Sequence, residues 1–554
     1  MSGEVRILDA HGQPVRIQRR RPLALNGNSN VPFDAASRSS QHMAAWNPTL
    51  WSADTGMNPY RDTIVARVRD AVANDGWASG AVTRILDNAI GANLKPISKP
   101  DWMWLQQETG NKGFDHAWAR EFGRAVDSHW RTWANDPGFW CDITRNQTFS
   151  QMAHTSFRHV LVDGDAIAIL PWAPERVGRG RARYCTAVQL IDPDRLSNPN
   201  LVFDQQSLRG GCEIDGYGAT VAYHIREAHQ NDWWAGAASM TWKRVPRETD
   251  WGRPYVVHSF EQQRAGQHRG GAGIFAPVLE RLKMLIKYDG TELDAAIINA
   301  IFAAYVESPM DPQLVKEAMG GGEGDIDREF SLNGYQQDRM AWGEENALVL
   351  GGARIPHLYP GEAIRTVTAA RPSSNYAPFQ AAALRNIAAG LGLSAQQLSN
   401  DWSDVNYSSA RAAMLEAHKT LTRRQTNFFV SWATPIRSAL LEEMMEVDGL
   451  PLPGGVVPEF MDARAAYVRC QWAGPPRGWI NPVDERAGAI LGMDSGLSTL
   501  EQETFAQGDD WEELLHQRAE EIRTMDELKI PRPEWVGQQV ASIVSRPPQK
   551  PEAA

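Results

Sequence analysis

The segment from residue 384 to residue 419 constrains the fold of this chain more than any other part. Its sequence, LRNIAAGLGLSAQQLSNDWSDVNYSSARAAMLEAHK, predicts a helix, a polar loop rich in Asp, Asn and Ser, and a second helix. The first helix is predicted to end at Gly390 and Gly392, because a residue without Cβ accepts a positive φ at low cost. The segment therefore predicts two helices joined by a polar loop.

The second of these helices is predicted to be unusually long. Ser408 and Ser409 are its candidate N-caps, and the helical pattern continues to about Glu446 with a bend or break at Pro435. At a rise of 1.5 Å per residue, roughly 40 residues span about 60 Å. A rod of this length that carries a loop suits a ring-shaped channel better than it suits an enzyme active site.

The rest of the chain divides into helical and strand-like stretches. Helices are predicted at 61–91 with an interruption at Gly76, 114–134, 274–308, 376–390, 484–491 and 509–525. Short apolar runs between turn residues predict a largely β region at 157–260 and short strands at 347–369. The helix at 274–308 carries an apolar stripe formed by Leu293, Ile297, Ile301 and Tyr305, with Ile298 and Phe302 beside it.

Composition limits the class of protein. The 554 residues are 42% hydrophobic, and no apolar run reaches the roughly 18–20 residues that a bilayer crossing needs. The four cysteines lack CxxC spacing and are predicted to be free thiols of a reducing cytoplasm. Of the 21 tryptophans, the pairs 102/104, 130/133 and 233/234 are interpreted as core anchors or subunit contacts, with base stacking as the alternative.

Signatures of enzymes are missing from the sequence. The chain contains no Gly-Lys dipeptide, which excludes the Walker phosphate loop, and it contains no GxSxG elbow. The closest histidine pairs, 154/159 and 224/229, are five residues apart, unlike the i, i+4 spacing of a helical zinc motif. Catalytic residues, cofactors and metal ligands are therefore not predicted.

Two polar features receive structural interpretations. RAGQHRGGAG (264–273) is predicted to be a flexible hinge. The alternative is an anion cradle at a helix N-terminus, with Arg264, His268 and Arg269 contacting a phosphate or an acidic neighbour. The carboxylate pairs 163/165 and 192/194 are expected to accept hydrogen bonds from local backbone at turns.

Eight further motifs occur along the chain in a fixed order. They are WNP (46–48), RVRDAVANDGWASGAVTRILDNAIGANLKP (67–96), VDGDAIAI (162–169), IDPDRLSNP (191–199), GYGATVAYHI (216–225), VVHSFEQQRAGQHRG (256–270), LYPGEAI (358–364) and WINPVDERAGAILGMDSGLST (479–499). Together with the 384–419 segment they resemble, in the same order, the lambda-type portal proteins of tailed bacteriophages. The resemblance covers roughly residues 40–530.

The resemblance implies an α+β portal fold with a wing, a long-helix stem, a β-containing clip and a helical crown, assembled as a ring. The implied parts are a flexible N-terminal arm (1–45), a wing that is helical and then β-rich (46–273), a first stem helix (274–308), the clip (309–375), a second stem helix (376–391), a tunnel loop (392–407), a long wing helix (408–446), a wing return and crown (447–540) and a flexible tail (541–554).

The implied function is that of a portal, or head–tail connector. About twelve identical subunits would form a ring at one capsid vertex, through which double-stranded viral DNA is packaged and ejected. Implied partners are the terminase large subunit, the major capsid and scaffold proteins and head–tail connector proteins, with assembly in the host bacterial cytoplasm and no membrane contact. The alternatives are a nucleic-acid-processing enzyme, which an ATPase or nuclease assay would reveal, and an oligomeric scaffold outside the virion.

Three sets of residues are candidates for contacts. The DNA-facing loop set is Gln397, Ser399, Asn400, Asp401, Trp402, Ser403, Asp404 and Asn406, for which a solvated connection is the alternative. The stem phosphate set is Arg281, Lys283 and Lys287, for which ion pairing to Glu280 or Asp289 is the alternative. The terminase-docking set in the clip is Asp311, Glu317, Glu323, Asp325, Asp327 and Glu329. A net charge of −11 fits weak contacts with DNA, because affinity grows with the number of phosphates neutralised.

Overall fold

The chain forms two units, Met1–Ser52 and Ala53–Ala554. The computed structural model describes residues 33–38, 41–301, 305–307, 341, 348–350, 353–355, 363–365, 376–403, 405–476, 478 and 481–531. The first unit holds a short 3₁₀ turn, Asp34–Ala36, and exposed apolar side chains at Trp46 and Leu50. Most of the predicted arm (1–45) and the whole predicted tail (541–554) lie outside the described residues.

Helices dominate the second unit at both ends of the sequence. In chain order they are Ala53–Asn74 (α1), Gly76–Ala89 (α2), Trp102–Thr109 (α3), His116–Ala134 (α4), Phe149–Val162 (α5), Leu279–Ile301 (α6), Tyr376–Leu391 (α7), Ala395–Ser399 (α8), Tyr407–Phe428 (α9), Thr434–Val447 (α10), Arg464–Val468 (α11), Pro482–Asp494 (α12), Leu500–Phe505 (α13) and Trp511–Glu527 (α14). None of the described helices is both long and apolar enough to cross a membrane.

Capping side chains explain where several of these helices begin. The predicted interruption near Gly76 is an N-cap, since the Asp75 carboxylate accepts from the Ala78 amide at 2.8 Å. Thr148 and Gln151 form a capping box at the start of α5. This helix occupies 149–162, so the predicted β region at 157–260 begins only at Asp165.

The strands are short and all pair antiparallel. They are Lys95–Ser98 (β1), Asp165–Ile169 (β2), Gln189–Ile191 (β3), Leu208–Arg209 (β4), Cys212–Ile214 (β5), Thr220–Arg226 (β6), Trp242–Pro246 (β7), Val256–Phe260 (β8), Tyr305–Glu307 (β9), Leu348–Leu350 (β10), Ala353–Ile355 (β11), Ala363–Arg365 (β12) and Cys470–Ala473 (β13). They form the sheets β3-β2-β8, β4-β5-β6-β7, β1-β13, β10-β11 and β9-β12. A mixture of helices and strands agrees with the predicted α+β class.

Aromatic side chains from distant segments meet in the main core. Phe149 lies 4.7 Å from Trp130 and 5.2 Å from Trp432 between ring centroids. Trp432 stacks on Phe428 at 5.3 Å. Trp130 and Trp133 are therefore core anchors, as the sequence predicted, because their rings are buried where α4, α5 and the long helix converge.

All four cysteines are free. Cys141 and Cys212 are buried, and Cys185 and Cys470 are half-buried. Burial raises the pKa of the Cys141 and Cys212 thiols to about 12, so both stay protonated at neutral pH.

The long helix changes its hydrogen-bonding pattern part-way along. A π-helical turn at Phe429–Ala433 joins α9 to α10, directly before Pro435. Proline has no amide hydrogen and its ring crowds the carbonyl four residues earlier, so a wider turn accommodates it without ending the helix. The predicted bend at Pro435 is thus a π-bulge, and the helical run extends from Tyr407 to Val447.

The helix predicted at 274–308 is shorter than expected. α6 begins at Leu279 and ends at Ile301, and Tyr305–Glu307 is a strand. This strand pairs with β12, Tyr305 opposite Arg365, so the two ends of the intervening segment are held together. The pairing requires the chain to leave the helix before residue 305, which periodicity alone did not indicate. The clip assignment, 309–375, lies mostly outside the described residues.

The C-terminal helices pack mainly through charge. α14 has no buried residue in its described span. Glu512 accepts from Arg120 at 2.9 Å and from Arg124 at 2.8 Å, both on α4. Glu513 pairs with Arg131 of α4 at 2.5 Å. Exposed ion pairs are weak individually, so this attachment depends on several of them acting together.

Candidate functional site: a helix pair, its loop and a buried charge cluster

α6 and α7 pack side by side at the two ends of the β-containing segment. Tyr288 of α6 contacts Tyr376 and Phe379 of α7, with ring centroids 5.8 and 4.9 Å apart. The Tyr376 hydroxyl donates to the Asp289 carboxylate at 3.0 Å. Burial and this hydrogen bond raise the pKa of Tyr376. Aromatic contacts and one carboxylate therefore fix the pairing of the two helices.

The three basic candidates on α6 are exposed but do not share one face. Lys283 and Lys287 are one turn apart and lie on the same side, whereas Arg281 is rotated by roughly 120–160° from them. The nearest carboxylate to Lys283 is Asp70, at 3.8 Å. Asp289, an alternative partner in the sequence analysis, instead accepts from α7. Lys283 and Lys287 are named here the basic face of α6.

An apolar surface of the helix pair faces solvent in the protomer. Leu293 is 64% exposed and Ile297 58% exposed, although both belong to the predicted apolar stripe of α6. Phe379 of α7 is 54% exposed. Exposed apolar side chains at these positions are candidates for contacts with another chain.

The predicted tunnel loop contains a short helix. Ser394 and Gln397 form a capping box that starts α8, with the Gln397 amide donating to the Ser394 hydroxyl at 3.1 Å. Gln397 therefore uses its side chain locally. Asn400 ends α8 in the left-handed conformation, at φ 57°. Leu398 is buried and anchors the helix.

The polar residues after α8 bond mainly to one another. Asp401 accepts from the Ser403 hydroxyl at 2.6 Å and from its amide at 3.0 Å, and these bonds lower the pKa of Asp401. Ser399 accepts from the Asp401 amide at 3.2 Å. Trp402 is half-buried, and Asp404 lies outside the described residues. The loop candidates thus lie together, and a role toward DNA remains a proposal.

The cap of the long helix is Asn406. Its side chain accepts from the Ser409 amide at 2.9 Å, so the predicted caps Ser408 and Ser409 are instead in the first turn.

The two glycines that were predicted to end the helix before the loop have different roles. Gly392 has φ +76°, as expected, but Gly390 lies within α7, where an added Cβ would be 2.3 Å from Val278. Its role is close packing.

The predicted hinge at 264–273 is tightly packed in its second half, whereas residues 264–266 are exposed. A Cβ on Gly270 would lie 2.1 Å from the Gly164 carbonyl oxygen, and one on Gly273 would lie 2.5 Å from the Leu161 oxygen. His268 is buried and its ring lies 2.8 Å from Asp54. The glycines permit close backbone contact, so the hinge interpretation is wrong for residues 268–273, and the acidic-neighbour alternative is correct for His268.

A buried charge cluster lies beneath this segment. Arg61 of α1 donates to Asp165 at 2.8 Å and Arg269 donates to the same carboxylate at 3.1 Å. Burial would raise the pKa of Asp165, but the two guanidinium groups outweigh it and hold the pKa below its ordinary range. Arg269 also donates to backbone oxygens, including that of Pro193 at 2.5 Å. These bonds join α1, β2 and the glycine-rich segment.

A second arginine of α1, Arg69, forms ion pairs with the other carboxylates of the predicted turn pairs. Arg69 donates to Asp163 at 2.7 Å and to Asp194 at 2.6 Å. The expected bond to local backbone is confirmed for Asp192, which accepts from the Asp194 amide at 3.0 Å, whereas Asp163 and Asp194 pair with Arg69. His229 and Asp192 lie close enough to Asp194 for a metal site in principle. The Arg69 guanidinium already neutralises this group of ligands, so the geometry fits an ion pair better than a cation.

The sequence analysis did not identify Arg61 as a buried residue, although its position in the helical pattern indicates burial. It falls on the buried face of α1 at the helical spacing of Val65, Val68 and Val72. A charged residue within an apolar stripe requires a buried partner. Asp165, similarly, begins the otherwise apolar strand β2 and is buried.

Comparison with known proteins identifies the family. The family model described as phage portal protein, lambda family, matches residues 39–425. Portal protein B of Escherichia phage lambda is 31% identical over 493 residues, which cover 89% of this chain and 89% of that protein. The chain belongs to the lambda family of phage portal proteins. The portal protein of Escherichia phage N15 is also 31% identical over 493 residues, covering 89% of this chain and 90% of that protein.

Solved structures give weaker likenesses to this portal protein. A chain in the neck of an empty gene transfer agent particle, computed with C6 symmetry, has a TM-score of 0.41 and 12% identity, covering 84% of this chain and 96% of that one. A chain in the native neck, computed with C12 symmetry, has a TM-score of 0.33 and 14% identity, covering 76% and 96%.

The family establishes the role that the motifs predicted. The chain is a portal protein of the lambda family, and packaging and ejection of the viral genome follow from the portal role. The terminase-docking candidates Asp311, Glu317, Glu323, Asp325, Asp327 and Glu329 lie outside the described residues.

Proposed function

We propose that about twelve copies of this portal protein close into a ring around a central channel, using contacts in which one face of a copy meets a different face of the next. The observation that carries the proposal is the apolar surface of the α6–α7 pair. A protomer that exposes Leu293, Ile297 and Phe379 leaves apolar area in water, and neighbouring copies would cover it.

The channel conducts double-stranded DNA without holding it. The chain carries a net charge of −11, and the basic face of α6 offers only Lys283 and Lys287. Few neutralised phosphates mean weak, salt-sensitive contacts, which allow a duplex to slide. Asn400, Asp401 and Ser403 are exposed in the α7–α9 loop and are assigned to the DNA-facing surface.

The clip docks the packaging motor. The negative charge of the six acidic candidates in the clip would steer a basic face of the terminase large subunit. Major capsid and scaffold proteins are assigned to the wing, and head–tail connector proteins to the clip after packaging. The assembled ring occupies one capsid vertex, after assembly in the host cytoplasm. The protein acts as a structural channel, not as an enzyme.

Negative-stain imaging and light scattering of purified protein test the ring. The expected mass is about twelve times the 61.6 kDa of one chain, with a hole wide enough for a duplex. Reversal of the clip charges should weaken terminase binding while rings still form. A protein that stays monomeric under all assembly conditions, or that hydrolyses ATP or DNA unaided, contradicts the proposal.

A further inference from the structure

The connection between β6 and β7 presents an aromatic surface to solvent. This connection, residues 227–241, is named here the tryptophan tip. Trp233 is 87% exposed, Trp234 is 69% exposed and Met240 is 54% exposed. The two indole rings meet edge to face, 5.8 Å apart at 83°. Within the described part of the chain neither indole N–H has a hydrogen-bond partner. Tryptophan is enriched among the residues that dominate binding energy at interfaces.

A groove of about 540 Å³ lies elsewhere on the same protomer. Its apolar walls include Tyr223 and Val256 from the strands and Val430 and Pro435 from the long helix, and it is named here the sheet groove. Val430 is 63% exposed, so the groove is open to solvent. This volume lies within the range of about 300–1,000 Å³ that is typical of sites enclosing a ligand or a large side-chain group.

The tip and the groove lie at opposite ends of one strand pair. The tip follows Arg226, which pairs with Trp242. The groove residues Arg247 and Glu248 follow directly on Pro246, at the other end of β7. Five strand residues at about 3.3 Å each place the two ends roughly 15 Å apart. No residue of the tip lines the groove within this protomer, and surfaces at opposite ends of one copy can join successive copies head to tail.

Charge and polarity also match between the two surfaces. The charged residues of the groove are Arg247, Arg464, Arg469 and Glu248, a net positive set. The tip carries Glu227 and Asp232. Ser438 lines the groove and is only 6% exposed, and its hydroxyl has no hydrogen-bond partner among the described residues. An entering indole N–H would supply the donor that this hydroxyl lacks.

We propose that the tryptophan tip of one copy docks in the sheet groove of the next copy. The proposal rests on the ring assembly proposed above and names one of its contacts. A second copy is the occupant that the geometry favours, since donor and acceptor surfaces repeat on every protomer. The contact is heterologous, as a cyclic assembly requires.

Photocrosslinking in the assembled, full-length protein tests the contact directly. A benzophenone amino acid replaces Trp234 in one isotopically labelled population, which is mixed with unlabelled chains before assembly. The expected crosslinks join position 234 to peptides containing residues 247–256, 430–438 or 464–470 of the other isotope. The same probe at Phe203, which is 90% exposed, should not link to these peptides. Crosslinks from 234 to any other surface, or to an added capsid or scaffold protein instead, would overturn the proposal.

Substitutions on both surfaces give an independent test. Trp233→Ala with Trp234→Ala, and separately Val430→Arg in the groove, should each lower the ring fraction at least tenfold at limiting protein concentration. Thermal unfolding of the unassembled protomer should not change, because all three side chains are exposed. Phe203→Ala is the matched control. Wild-type protein that forms no ring contradicts the proposed function. Rings that form equally well with all variants contradict only the docking proposal.

Discussion

Asp165 is the centre of a buried charge cluster in the second unit. Its side chain is fully buried and lies between Arg61 and Arg269. Each guanidinium would be costly to bury alone, and the shared carboxylate together with backbone acceptors offsets that cost. The cluster therefore links three segments that are far apart in sequence through electrostatic complementarity as well as packing.

Asp165→Asn should destabilise the protein by about 3–5 kcal/mol, because two buried arginines would lose their shared carboxylate. Chemical denaturation of the protomer measures the loss. The variant also tests the lowered pKa of Asp165. A depressed folded-state pKa contributes stability above the unfolded value of about 3.9 and loses it as pH falls below that value.

The stability gap between wild type and Asp165→Asn should therefore be full near pH 7 and narrow below about pH 4. Asp87→Asn, on the exposed face of α2, is the control and should change stability by less than about 0.5 kcal/mol. A gap that stays constant down to acid denaturation would show that folding does not lower the pKa of Asp165.

Alanine substitutions at Gly164 and at Gly180 distinguish the cost of backbone strain from the cost of a steric clash. Both have positive φ, +93° and +73°, so alanine at either costs about 1–2 kcal/mol. A Cβ at Gly164 would also lie 1.9 Å from the Gly271 oxygen, whereas Gly180 has open space around it. Gly164→Ala should lower the melting temperature several degrees more than Gly180→Ala. Equal effects in thermal denaturation would argue against tight packing.

At the scale of elements, the start of the long helix is set by one side chain. Asn406→Ala should destabilise α9 by about 1 kcal/mol, since it removes the acceptor for the Ser409 amide. Ser408→Ala and Ser409→Ala should change little, because alanine is favourable inside a helix. Hydrogen exchange of the first turn of α9 distinguishes the three variants. A larger loss at Ser408 would place the cap where the sequence predicted it.

α14 is held by charge, so its attachment should depend on salt. Raising the salt concentration to 1 M shortens the screening length to about 3 Å. Hydrogen exchange of residues 511–527 should then accelerate several-fold, while buried amides of α4 stay protected. Glu512→Gln, which breaks the pairs with Arg120 and Arg124, should reduce the salt dependence. Exchange in α14 that is indifferent to salt would point to apolar packing instead.

At the scale of the whole molecule, the proposed ring needs contacts with DNA that are weak enough to let the duplex slide. The basic face of α6 is the described surface best suited to this role, because Lys283 and Lys287 lie on one side of a solvent-facing helix. Arg281 points away from that side. The three basic candidates that the sequence grouped together therefore lie on two different sides of α6.

Lys283→Ala with Lys287→Ala should weaken the retention of duplex DNA by assembled rings and should flatten its dependence on salt concentration. Fewer neutralised phosphates release fewer counterions, so the slope against log salt decreases. Arg281→Ala is the matched control and should leave the slope unchanged. Filter binding at several salt concentrations measures all three proteins. A larger effect at Arg281 would assign the DNA-facing side of α6 differently.

Much of the architecture follows from local pattern. The helices α4 and α7, the strands around Val256 and the long helical run were predictable because periodicity and turn residues are local signals. The end of α6 was not, since it depends on Tyr305 pairing with Arg365 across the intervening segment. The DNA-facing role of the loop candidates stays a prediction, and within the loop the side chains of Gln397 and Asn406 cap helix ends.

The sequence by itself determined the family, through motifs kept in order over most of the chain, and the types of most elements. The tertiary structure alone decided which polar residues are buried together and which apolar residues stay exposed. Arg61 and Arg269 are far apart in sequence, and only folding brings both to Asp165. Trp233 and Trp130 have the same chemistry, yet one faces solvent and the other fills the core. Burial depends on contacts between distant segments, which no local pattern encodes.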